Sequence, residues 1–215
     1  MQRSVFGLVL LAAACVAAPA SAQHAVDASV RMGGFTLDVA TYFGVPQRDV
    51  VYVRSRHIPD DEIPVVLFIA QRARVAPAAV IAYRQSGRSW SDVSVRFGLG
   101  PEIYYLPVTV RSGQPYGRAL GHYRRPRPQW RRIVLSDADV VDLVGLRFMT
   151  EHYRVSPDRV VAVRGRYRDH RDYVAVSMDL RGRRLTEGDG RRRGNDSGDG
   201  RSNDRQKGHS RRERR

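Results

Sequence analysis

Arg74-Val75-Ala76-Pro77 returns eighty residues later as Arg154-Val155-Ser156-Pro157, and Val80, Ala82 and Arg84 return as Val160, Ala162 and Arg164. A constant offset across apolar positions and a proline means that one local structure is used twice. With one inserted residue the match runs on from Val93, Val95, Phe97 and Leu99 to Val174, Val176, Met178 and Leu180. Residues 35–54 read as a further half copy.

The repeated unit predicts three short helices. Val66, Ile69, Ala70 and Ala73 fall on one helical stripe, and Val65, Leu67 and Phe68 widen it until the helix is apolar nearly all round, hence central. Asp60, Asp61 and Glu62 stand at the positive end of its dipole, and Pro64 is tolerated in the first turn. Pro77 opens the second helix, which carries Val80, Ile81 and Tyr83 and stops at Gly87. Ser89 and Asp92 form a capping box for the third, and Gly98 ends it. In the later copy Ser136 and Asp139 cap a helix with Val140, Leu143, Val144 and Phe148 buried. Ser156-Pro157 starts the next helix, and 173–180 fits either a helix or a strand. Residues 35–54 predict a helix ending at Gly44 and another from Pro46, after a short polar lead over 23–34. The expected fold class is all-α, a duplicated three-helix unit divided between 23–110 and 133–180.

Residues 1–22 have the make-up of a secretory signal peptide: Arg3, an apolar run over 6–18, and Ala20-Ser21-Ala22 as the cleavage site before Gln23. The alternative is a lipoprotein signal with a lipid on Cys15, the sole cysteine. The 6–18 run is too short for a lasting membrane span, and no second apolar run appears, so no transmembrane segment is expected in the mature chain. The formal net charge is +15, and its distribution is uneven. Residues 23–110 hold nine Arg against eight acids and 133–180 hold seven against eight, so both units are nearly neutral. Residues 111–132 hold seven Arg and no acid, while 181–215 hold thirteen basic residues against six acids. The first of these is expected to be a basic Pro/Gly/Arg linker and the second a disordered Arg-rich tail.

The order Asp38-Val39-Ala40, Phe43-Gly44-Val45-Pro46 and Val50 resembles the core of a helix-turn-helix. Ile69-Ala70 with Arg74, Val75 and Val80 repeats the spacing, and Val93-Ser94 with Gly98 repeats it loosely. The same spacing resembles the central helices of LysM modules. The first resemblance implies nucleic-acid binding and the second peptidoglycan binding. The spacing also suits any two short helices that pack at an angle.

No catalytic, cofactor or metal site is expected. The six histidines form no H-x-x-x-H or H-x-H pair, no G-x-S-x-G surrounds a serine, and no Gly-rich phosphate loop occurs. Polyanion binding is expected instead from Arg124, Arg125, Arg127, Arg131 and Arg132 in the linker, with Trp130 among them placed to stack or to meet a membrane interface. Arg191, Arg192, Arg193, Arg211 and Arg212 extend the expectation into the tail. The reading is an exported, non-enzymatic helical module held to an anionic cell-envelope component: lipid headgroups, polysaccharide or wall polymer. A nucleic-acid partner suits the charge but not the signal peptide.

Overall fold

A computed structural model describes residues 20–107, 116–169 and 171–182, without the side chains of 20–26 and 117. Its helices are α1 (Ala20–Phe43), α2 (Gln47–Ser55), α3 (Ile63–Ala73), α4 (Pro77–Gln85), α5 (Trp90–Arg96), α6 (Tyr116–Gly121), α7 (Asp137–Tyr153), α8 (Pro157–Arg164) and α9 (173–182). Three 3-10 turns, Pro101–Tyr104, His122–Arg124 and Arg127–Arg132, lie between α5 and α7. The protein is all-α, with no strand among the described residues.

The repeat is built on one turn. Gly44, Arg74, Gly98 and Arg154 follow the first helix of each pair in the left-handed region, at φ 64°, 58°, 75° and 56°. In each case the next residue's N–H returns to the carbonyl five residues back: Val45 to Ala40, Val75 to Ala70, Leu99 to Ser94 and Val155 to Thr150. This satisfies a carbonyl that the helix end leaves open and turns the chain into its neighbour. Both capping boxes form, with Ser89 and Ser136 accepting from the N–H groups of Asp92 and Asp139.

The two copies also share an ion pair that no local pattern reveals. Arg84 reaches back to Glu62 at 2.7 Å, and Arg164 reaches back to Asp142 at 3.0 Å. Both partners are again eighty residues apart. Each guanidinium then lies over the first aromatic of the third helix, Arg84 over Trp90 at 4.6 Å and Arg164 over Tyr173 at 5.2 Å. This corrects the register of the last helix. Trp90, Val93 and Ser94 are buried in α5, as are Tyr173, Val176 and Ser177 in α9, so three residues rather than one are inserted. The extra length lies in the 165–172 connection.

Equivalent helices α3 and α7 pack on each other, and α1 lies against both. The buried side chains form one cluster from Phe35 to Leu180, so the two copies share a core. α3 buries every residue from Ile63 to Ala70, as its all-round apolar sequence predicts. Gly145 in α7 is what admits Tyr173: a Cβ there would fall on the Tyr173 ring and hydroxyl. The acids before α3 stand at its N-terminus as expected, and two of them also make ion pairs. Glu62 makes no side-chain cap and pairs with Arg84, and Asp60 pairs with Arg54.

Three boundaries move. Residues 23–34 are the first part of α1 rather than a polar lead, and the Arg181 guanidinium occupies the space a Cβ would take at Gly34. Residues 116–132 are not a free linker, since Tyr116, Ala119, Tyr123 and Trp130 are buried in the shared core. Arg181 belongs to α9, not to a tail, and bonds Asp38. The signal-peptide reading of 1–22 lies outside the described residues except at 20–22, where α1 begins. The tail reading beyond 182 also lies outside the described residues.

Candidate polyanion-binding face

Pro126 and Pro128 fix two backbone angles in RPRPQWRR and withhold their N–H groups, which favours tight turns over an α-helix. The chain closes into the 3-10 turn Arg127–Arg132, with Gln129 N–H bonding Pro126 O at 2.9 Å and Ile133 N–H bonding Trp130 O at 3.0 Å. Trp130 points inward, 8% exposed, and its Nε1 donates to Arg125 O at 2.7 Å. Tyr105 and Tyr123 close around it at ring distances of 4.4 and 5.2 Å. The Tyr123 hydroxyl donates to Pro101 O, and Arg147 of α7 donates to Tyr105 O at 2.6 Å. The turn is therefore pinned to both α7 and the Pro101–Tyr104 turn.

This arrangement divides the expected site residues. Arg124, Arg125, Arg127, Arg131 and Arg132 are all exposed, and none forms an ion pair with another described residue. Arg127 also lies over Trp130 at 5.4 Å and Tyr105 at 6.0 Å. Trp130 is corrected from a ligand contact to the anchor beneath the arginines. Its indole packs between Tyr105 and Tyr123, and its one polar group is satisfied by Arg125 O. Arg191, Arg192, Arg193, Arg211 and Arg212 lie outside the described residues. Five guanidiniums on a fixed backbone offer forked donors to phosphate, sulfate or carboxylate oxygens. They offer no nucleophile and no general base.

Two buried polar clusters escaped sequence reasoning because their members are far apart in the chain. Asp38 of α1 receives the Tyr153 hydroxyl and Arg181, with His152 Nε2 at 3.2 Å. Burial raises the Asp38 carboxyl, but those three donors outweigh it and hold the group below its ordinary value. Arg164, fully buried, bonds Asp142 and the Tyr116 hydroxyl and lies over the Tyr116 ring at 4.6 Å. Both clusters join helices: α1 to α7 and α9 in the first, and α6, α7 and α8 in the second. No group of three His, Asp or Glu able to hold a metal ion occurs among the described residues.

The second helices of the turn pairs present few base-reading side chains: α2 exposes Gln47 and Arg48, and α4 exposes Gln85. The outward positions of α4 are Ala78, Ala82 and Gln85, and those of α8 include Asp158 and Ala162. Comparison with protein-family models, with curated proteins and with solved structures returns no match.

Proposed function

We propose that this protein is an exported, non-enzymatic helical module that binds an anionic component of the cell envelope through its basic face. The observation that carries this reading is the set of five exposed arginines, Arg124, Arg125, Arg127, Arg131 and Arg132, without acidic partners among the described residues and on a turn fixed by a buried aromatic cluster. What sets these five apart is density: they fall within nine residues, whereas exposed arginines elsewhere are scattered or, like Arg166 with Asp179 at 2.6 Å, paired. A fixed turn also spares part of the ordering entropy that a free arm loses on binding.

The test replaces all five arginines by glutamine and measures binding to polyphosphate and to anionic vesicles across a salt series. The variant is expected to bind at least about tenfold more weakly at low salt, with a shallower salt dependence. Unchanged affinity and slope would show that the face is not the binding surface.

A further inference from the structure

Val134 and Val95, 80% and 68% exposed, are the most exposed large apolar residues described, and they lie beside the basic face. Ser91 Oγ of α5 donates to Leu135 O at 2.7 Å, which lays the 133–135 segment along that helix. One turn further along α5, Val95 lines a small cavity of about 40 Å³ with Leu99, Pro101 and Ile133. Ile133 and Leu135 are buried, so Val134 between them leaves the surface on the outer side. Val95 also lines a second, open cavity of about 290 Å³ with Tyr83, Arg88, Asp92 and Arg96. The two depressions adjoin at Val95 as a shallow groove, with Leu99, Pro101 and Ile133 on one side and Tyr83, Arg88, Asp92 and Arg96 on the other.

The rim of that groove is cationic. Arg131 and Arg132 immediately precede Ile133 at one end, and Arg88 and Arg96 stand at the other, all four exposed. Arg96 is steadied by its bond to the Tyr83 hydroxyl at 2.5 Å and its position 5.2 Å over that ring. The single acid of the groove, Asp92, is engaged by the hydroxyl of Ser89 in the capping box. A soluble polyanion would use the arginines and gain nothing from the valines. An anionic bilayer uses both: guanidiniums meet headgroup phosphates while the apolar side chains enter the boundary below them.

We infer that this groove is a docking surface for an anionic lipid bilayer, with Val95 and Val134 entering the headgroup boundary and Arg88, Arg96, Arg131 and Arg132 on the phosphates. The inference rests on the basic-face reading and narrows its partner from polyanions in general to lipid. The test uses protein lacking residues 1–22, which retains every buried residue from Phe35 to Leu180. It compares wild type with the double variant Val95→Gln and Val134→Gln, which leaves the charge unchanged. Probes are vesicles of phosphatidylcholine containing phosphatidylglycerol, and soluble polyphosphate. Wild type is expected to keep a salt-resistant part of its vesicle binding. The double variant should lose that part and bind vesicles roughly tenfold more weakly, with polyphosphate affinity and melting temperature unchanged. Equal vesicle binding by both proteins, or parallel loss of both probes by the variant, overturns the lipid assignment while wild-type polyphosphate binding keeps the broader reading. Wild type that binds neither probe at low salt overturns both.

Discussion

Asp38 accepts bonds from Tyr153, Arg181 and His152, and its carboxyl therefore sits below the ordinary 3.8 although burial alone would raise it. A carboxyl more acidic folded than unfolded stabilises the fold above its unfolded value and loses that contribution as pH falls through the folded value. The contribution is thus intact at neutral pH and fades below 3.8. Asp38→Asn is expected to cost on the order of 1–3 kcal/mol at neutral pH. The cost should shrink in strong acid, where wild type has lost the same charge. Urea unfolding of both proteins at neutral and acid pH measures this, and an equal cost at both would count against it. Asp61 has the opposite sign: burial and then the charge of Glu62 raise its carboxyl, so ionised Asp61 opposes folding and acidification relieves it.

At the scale of elements, the 3-10 turn Arg127–Arg132 is held by one large side chain. Trp130→Ala removes an indole that is 8% exposed and leaves Arg125 O without its donor, so a loss of about 3–5 kcal/mol is expected, comparable to Phe68→Ala in α3. Thermal melting of the two variants checks it, and a negligible shift for Trp130→Ala would mean that the turn is not part of the core. The left-handed turns yield a gain instead. Arg74 and Arg154 hold φ 58° and 56°, where a Cβ is strained, so Arg74→Gly and Arg154→Gly should each stabilise by roughly 1 kcal/mol, measured by chemical denaturation. The turns, the capping boxes and the apolar helix α3 were legible in the sequence because each depends on residues within a few positions of one another. The packing of 116–132 was not. Six prolines and glycines between 111 and 132 read as a linker, while the groups that fix it, Pro101 O, Tyr105 and Arg147, lie elsewhere in the chain. The same limit hid Asp142 as the partner of Arg164 and Asp38 as the partner of Arg181. On the face itself the arginines were legible and the inward turn of Trp130 was not, since alternation of Arg and aromatic residues does not say which side the core lies on.

For the molecule as a whole, about half of the excess charge lies in the 111–132 segment and about half beyond the last core residue. Among the described residues, every buried hydrophobic one lies between Phe35 and Leu180. Residues 183–215 carry twelve basic residues against six acids and lie outside the described residues. Deleting 183–215 is therefore expected to leave the melting temperature unchanged. Polyphosphate binding should weaken and become less salt-dependent, with the 124–132 face supplying the remainder. Extending the deletion by two residues, through Arg181, should act differently. It strips Asp38 of a donor and uncovers Gly34, so the melting temperature should fall although the charge changes by only one more unit. Melting curves and polyphosphate titrations of the two truncations place the fold boundary and the charge boundary independently. A fall in melting temperature already at the shorter deletion, or binding indifferent to both, would contradict the division of the chain into a neutral core, a pinned basic face and a basic extension.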